Sequence, residues 1–307
     1  VSYLPQARII GRTVSVIPRS FEQGWKLTAE QLTETLEHEA DDCRPRLLVL
    51  NYPGNPTGQT YTADELEQIA EVARRFEVIV LSDEIYGQLH HRGEHVSIAR
   101  FYPEGTIVSS GLSKWCGAGG WRLGTFHFPP DLEWLLEAMA TVASETYTSV
   151  CAPIQHAAVH AFRCGVDIER YLWHARRILS VLADQCTEQL RQAGLGVHLP
   201  DGAFYLFVDF LPKAERLAAR QLGDGPSLCK RLLKETGVAI LPGVSFARPP
   251  QELTARLAYV NFDGARALAA SENIPLDEEL PAGFIRQYCE GVLVGVERLV
   301  DWVATNP

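Results

Sequence analysis

Short runs of β-branched and aliphatic residues alternate along this chain with stretches whose apolar positions recur every three or four residues. The runs fall at 13–18, 46–50, 78–82, 106–109 and 123–128, and their continuous apolar character predicts strands covered on both faces. Between the second and third, TADELEQIAEVARRFE sets Leu66, Ile69, Ala70 and Ala73 on one helical stripe behind a capping Thr62. Strand, helix and strand there make a βαβ unit.

Further on, residues 130 to 165 read as helical, and 167–194 as one long helix closed by a glycine and serving as a hinge. Beyond it come strand-like stretches at 197–199, 203–210, 238–241 and 256–262, a helix near 228–235, and a final helix from Gln287 on. The segment 265–284 reads as an irregular surface excursion. The expected architecture is α/β: a large domain (1–180) with a mostly parallel sheet and helices on both faces, then a smaller C-terminal α+β domain (181–307).

With 307 residues, 46% of them hydrophobic, the chain can bury a sizeable core. A net charge of -10 with scattered Lys and Arg offers no basic surface for nucleic acid or anionic lipid. No apolar run is long enough to span a bilayer, and VSYLPQARIIGR lacks the charged start and apolar core of a signal peptide, so a cytoplasmic setting is expected. Seven widely spaced cysteines without a C-x-x-C pair, Cys43 among them, read as reduced packing thiols rather than a disulfide or zinc framework. His156 and His160 stand four apart but lack a third ligand, so no metal is expected.

Three polar clusters follow successive strands: NYPGNPTG (51–58), SDEIY (82–86) and SSGLSKWCGAGGWRLG (109–124). Ligands of open parallel sheets bind outside the carboxyl ends of the strands, so the three clusters are expected to share one pocket. Together they supply a lysine, a carboxylate, a tyrosine, an asparagine and an arginine. That inventory suits a pyridine aldehyde phosphate, whereas GAGGWRLG lacks the G-x-G-x-x-G order of a dinucleotide site.

In these three motifs, and in GAFYLFVDF (202–210) and RLAYVNFDG (256–264), the chain resembles the class I/II pyridoxal-phosphate-dependent aminotransferases of fold type I. The resemblance implies pyridoxal 5'-phosphate as cofactor, an amino acid and a 2-oxo acid as substrates, and a homodimer. It implies that Lys114 forms the Schiff base and moves the proton, that Asp83 holds the pyridine nitrogen protonated, and that Asn55 and Tyr86 donate to the ring oxygen. Arg122 would grip the phosphate and Arg256, with Asn55, the substrate carboxylate, with Arg266 the nearby competitor for that clamp.

Where the family often has a phosphate-binding serine, three residues before the lysine, this chain has Gly111, and Ser113 or Ser110 is the substitute. The aromatic set Trp115, Trp121, Phe204 and Tyr205 reads as packing, with Phe204 or Tyr205 a possible pocket wall. The family's glycine-rich phosphate turn and ring-stacking aromatic have no counterpart here, so the chain is expected to lack an N-terminal segment, and Tyr3 to lie close to the pocket. A carbon–sulfur β-lyase on the same scaffold and a non-catalytic ligand-binding domain are the alternative functions.

Overall fold

In the computed structural model, residues 2–38 and 45–305 are described, and Cys43 lies outside them. The first sheet holds β1 (Leu47–Asn51), β2 (Ile79–Asp83), β3 (Thr106–Gly111) and β4 (Gly124–His127) in that order. The first three run parallel and β4 is antiparallel to β3. The second sheet has β5 (Tyr205–Asp209), the two-residue β6 (Leu241–Pro242) and β7 (Thr254–Ala258), antiparallel in the order β5-β7-β6.

Eleven α-helices surround them among the described residues: α1 (Tyr3–Ile9), α2 (Ala29–His38), α3 (Ala63–Arg75), α4 (Glu133–Thr146), α5 (Ala152–Phe162), α6 (Val166–Gln192), α7 (Ala214–Ala219), α8 (Gly225–Thr236), α9 (Gly264–Ser271), α10 (Phe284–Tyr288) and α11 (Glu290–Ala304).

Alternate residues of a strand point to opposite faces, and β2 feeds two separate packing layers in that way. Val80 joins Leu66, Ile69 and Ala70 of α3 and Leu32 and Leu36 of α2, whereas Ile79 and Leu81 join Ile107, Leu132 and Leu135 on the other face. The sheet is therefore mixed, mostly parallel, with helices on both faces. Helix α3 begins where Thr62 predicts: its hydroxyl accepts the Glu65 amide at 3.2 Å while the Glu65 carboxylate accepts the Thr62 amide at 2.8 Å. The 27-residue α6 is the spine of the largest core, packing Leu172, Ile178, Leu182 and Leu190 with Leu206 and Phe210 around β5 and Leu299 of α11.

Several sequence expectations are corrected. Residues 13–18 form no strand, because β-branched residues make a strand only where a neighbour takes up their backbone groups, and Val14 and Val16 stay exposed. Likewise 197–199 forms no strand, and the isolated bridge beside it, from Gly196 to Asp209, falls one residue earlier. The helical stretch after 130 is two helices, interrupted by Thr148 at φ 70° and restarted with proline in the first turn of α5.

Nor is 265–284 an irregular excursion throughout. It opens with α9, whose Ala267 and Ser271 are buried. Arg177 of α6 donates to Ser271 Oγ, the Ile274 carbonyl and the Pro275 carbonyl at 2.8–2.9 Å, which pins the segment down. The six described cysteines are free thiols, and no described helix is long and apolar enough to cross a membrane.

Candidate functional site

Parallel register aligns the carboxyl ends of β1, β2 and β3, setting Asn51 beside Asp83 and Asp83 beside Ser109. Asn51 then ties two motifs together. Its amide nitrogen donates to the Asp83 carbonyl at 3.0 Å, and its oxygen accepts the Asn55 backbone N–H at 2.8 Å. Sequence reasoning gave Asn51 no role, although its place as the first residue of the polar cluster after a predicted strand was the available signal.

The second sheet closes over this edge. The Asp201 and Gly202 amides both donate to the Gly58 carbonyl, at 2.9 and 3.0 Å, and the Gln59 side chain donates to the Leu199 carbonyl at 2.7 Å. This stitching brings Arg256 of β7 to Asn55, where Arg256 Nη1 donates to Asn55 Oδ1 at 2.8 Å. The guanidinium lies 4.6 Å from the Tyr205 ring centroid and 5.3 Å from that of Phe246, and its Nε is buried without a hydrogen-bond partner among the described residues.

Tyr205, read from sequence as packing, is buried yet shares a 2.8 Å hydrogen bond with the Tyr86 hydroxyl. Lys114 Nζ lies 5.9 Å from the Tyr86 ring centroid, and among the described residues no hydrogen bond or ion pair holds it. Asn55, Arg256, Tyr205, Tyr86 and Lys114 thus form one continuous line.

Tyr205→Phe would leave the Tyr86 hydroxyl buried without that partner while keeping the ring under Arg256. It is expected to cost about 1–2 kcal/mol in urea unfolding. A variant as stable as the parent would show that the two phenols are not paired in solution.

Asp83 stands at the other side of this line. Burial pushes its carboxyl above the usual carboxylate range, the hydrogen bonds from Tyr3 and the Ile85 amide pull it back, Glu84's charge adds to the rise, and Lys114 opposes it. The Tyr3 hydroxyl donates to Asp83 Oδ2 at 2.6 Å, which places Tyr3 in the pocket as the sequence suggested. Burial, and then Tyr205, push the Tyr86 phenol well above its ordinary range.

The phosphate side is furnished differently. Arg122 is exposed, sits in the left-handed region at φ 55° and donates to the carbonyl of Gly119 in its own loop at 2.5 Å. Ser113 is half-buried in the same loop. A side chain at Gly111 would put Cβ 2.6 Å from the Leu123 carbonyl oxygen and 3.0 Å from Gly124 Cα, so serine there would drive β4 away from β3.

The donor set fits pyridoxal phosphate. It offers an amine without a polar partner, a carboxylate that accepts a phenolic hydrogen and can equally accept one from a protonated ring nitrogen, and a guanidinium whose Nε is orphaned.

Comparison with known proteins bears on the family and the fold. The family profile described as aminotransferase class I and II matches residues 1–261. An aspartate aminotransferase of Bacillus sp. (strain YM-2) is 33% identical over 264 residues, covering 84% of this chain. The chain spans 63% of the length of that relative. Among solved structures, the aspartate aminotransferase of Thermus thermophilus with maleate superposes with a TM-score of 0.77 at 29% identity, covering 98% of this chain and 66% of the other. The aromatic aminotransferase of Pyrococcus horikoshii OT3 gives 0.78 at 26% identity, covering 99% and 70%.

Proposed function

This chain belongs to the class I and II aminotransferase family, and from that premise we propose that it transfers an amino group between an amino acid and a 2-oxo acid with pyridoxal 5'-phosphate. The observation that carries the reading is the line from Lys114 through Tyr86 and Tyr205 to Arg256 and Asn55, with Asp83 alongside.

Bound there, the cofactor supplies an electron sink for the carbanion formed when the substrate loses its α-proton. Lys114 provides the amine that attaches it and that removes and returns that proton. Asp83 keeps the ring nitrogen protonated. Tyr86 and Asn55 donate to the ring oxygen, and Arg122 with Ser113 holds the phosphate. Arg256, with its unpartnered Nε, clamps the substrate α-carboxylate beside Asn55.

The homodimer and the cytoplasmic setting belong to the same proposal. Apolar side chains open on and around β4 and α4, among them Phe126, Trp134, Val142 and Tyr147, support a subunit contact there.

The two relatives named for aspartate make aspartate the first donor to try. Purified protein with pyridoxal phosphate, aspartate labelled at its amino nitrogen and 2-oxoglutarate is expected to yield nitrogen-labelled glutamate. A panel of amino acids that gives no exchange, with pyruvate and ammonia released from cystathionine instead, would replace this reading with the β-lyase.

A further inference from the structure

The acid that follows Asp83 in the SDEIY motif has no role in the chemistry above, yet its side chain keeps only 9% of its exposure. Glu84 accepts three hydrogen bonds: from Ser82 Oγ at 2.8 Å, from Ser97 Oγ at 2.5 Å and from His95 Nε2 at 2.8 Å. Burial alone would raise its carboxyl, but the hydrogen bond and charge of His95, then Ser97 and Ser82, bring it below the usual range. Both of its oxygens are engaged, Oε1 by two hydroxyls and Oε2 by the imidazole, in a nearly closed site. Burying a carboxylate is costly unless it is hydrogen-bonded, so the arrangement constrains whatever carries it.

What it carries is the cofactor-facing turn. Ser82 ends the buried part of β2, Asp83 and Tyr86 flank Glu84, and a Cβ on Gly87 would lie 2.8 Å from His95 Cδ2, so the imidazole packs directly on the turn after Tyr86. The same cluster reaches β1. Tyr52 OH lies 3.2 Å from Ser82 Oγ and accepts the Ile98 amide at 2.7 Å, while its ring lies 5.3 Å from that of His95. Ser97 in turn accepts the Ala99 amide at 3.2 Å, anchoring the segment that supplies His95. Two chain segments meet at the carboxylate, and Tyr52, just after β1, joins them through Ser82 and Ile98.

We propose that Glu84, clamped by His95, Ser97 and Ser82, is a positioning residue that fixes Asp83 and Tyr86 toward the cofactor. The inference rests on the pyridoxal phosphate reading of the site. A role confined to stability would change the melting temperature alone, whereas a positioning role changes how the cofactor is held.

The test titrates pyridoxal phosphate into cofactor-free protein, reading affinity from tryptophan quenching and orientation from the induced circular dichroism of the lysine-bound visible band. Both Glu84→Ala and His95→Ala are expected to weaken binding on the order of tenfold and to diminish the dichroism. His95→Gln, which restores a donor toward Glu84, is expected to recover most of both. Should Glu84→Ala not fold, His95→Ala and Ser97→Ala carry the same comparison from the partner side. Parental affinity and dichroism in His95→Ala, with only a lowered melting temperature, would overturn the proposal and leave the function standing. A parent protein that binds no pyridoxal phosphate would instead remove the function, and this inference with it.

Discussion

Lys114→Ala is expected to fold normally, to develop no visible band when pyridoxal phosphate is added, and to lose amino-group exchange by at least about 10⁴-fold, the upper range for a positioned general base alone. The lysine is half-buried, and its amine has no hydrogen bond or ion pair among the described residues. Truncating it therefore leaves no buried partner unsatisfied. Its neighbour Trp115 is 2% exposed, and the Trp115 carbonyl accepts the Tyr171 hydroxyl at 2.9 Å, so the turn after β3 is held by other means. The stability change should stay within about 0.5 kcal/mol. Urea unfolding, absorbance spectra with borohydride trapping, and an amino-group exchange assay check the three parts, and a persistent band in the alanine variant would place the covalent link elsewhere.

Arg256→Ala is expected to lower kcat/KM for amino acid substrates by roughly 10²- to 10³-fold, the cost of removing one member of a buried, hydrogen-bonded charge pair. The guanidinium lies 4.6 Å from the Tyr205 ring centroid and 5.3 Å from that of Phe246, is bonded to Asn55, and has a buried Nε without a partner among the described residues. Arg256→Lys keeps the charge but not the planar fork, so it should fall between parent and alanine, with the loss mostly in KM. Arg266, its sequence competitor, lies on α9 with its guanidinium 5.5 Å from the Tyr288 ring, and Arg266→Ala is expected to leave kcat/KM unchanged. Steady-state kinetics on the three variants decide the assignment. Equal losses at 256 and 266 would sink it.

The legible parts of this protein were those written in contiguous residues. The helix behind Thr62, the three parallel strands with polar motifs after them, and the long helix from Val166 to Gln192 follow from local apolar period and capping, and the structure has each within a few residues. Strands 13–18 and 197–199 misled for one reason: alternation and β-branching describe a segment fit for pairing, but pairing needs a partner. Helix α9 was missed because its stripe is mostly alanine, and what anchors its end is a polar bond to Arg177 from far along the chain.

At the site, sequence alone singled out Lys114, Asp83, Tyr86, Asn55 and Arg122 as types that suit one cofactor, and Arg256 as the proposed carboxylate clamp. It did not determine which of them meet. Tyr205 as the hydroxyl partner of Tyr86, Asn51 as the tie between Asp83 and Asn55, the Tyr3 phenol on Asp83, and the clamp on Glu84 are contacts between residues that lie apart in sequence. Even Gly111, where serine was the family expectation, is explained only by the 2.6 Å approach of the Leu123 carbonyl across the β3–β4 pair. A motif specifies which groups a turn offers, but hydrogen-bond distance between them depends on how two sheets and a buried network close on one another, and only the tertiary structure decided that.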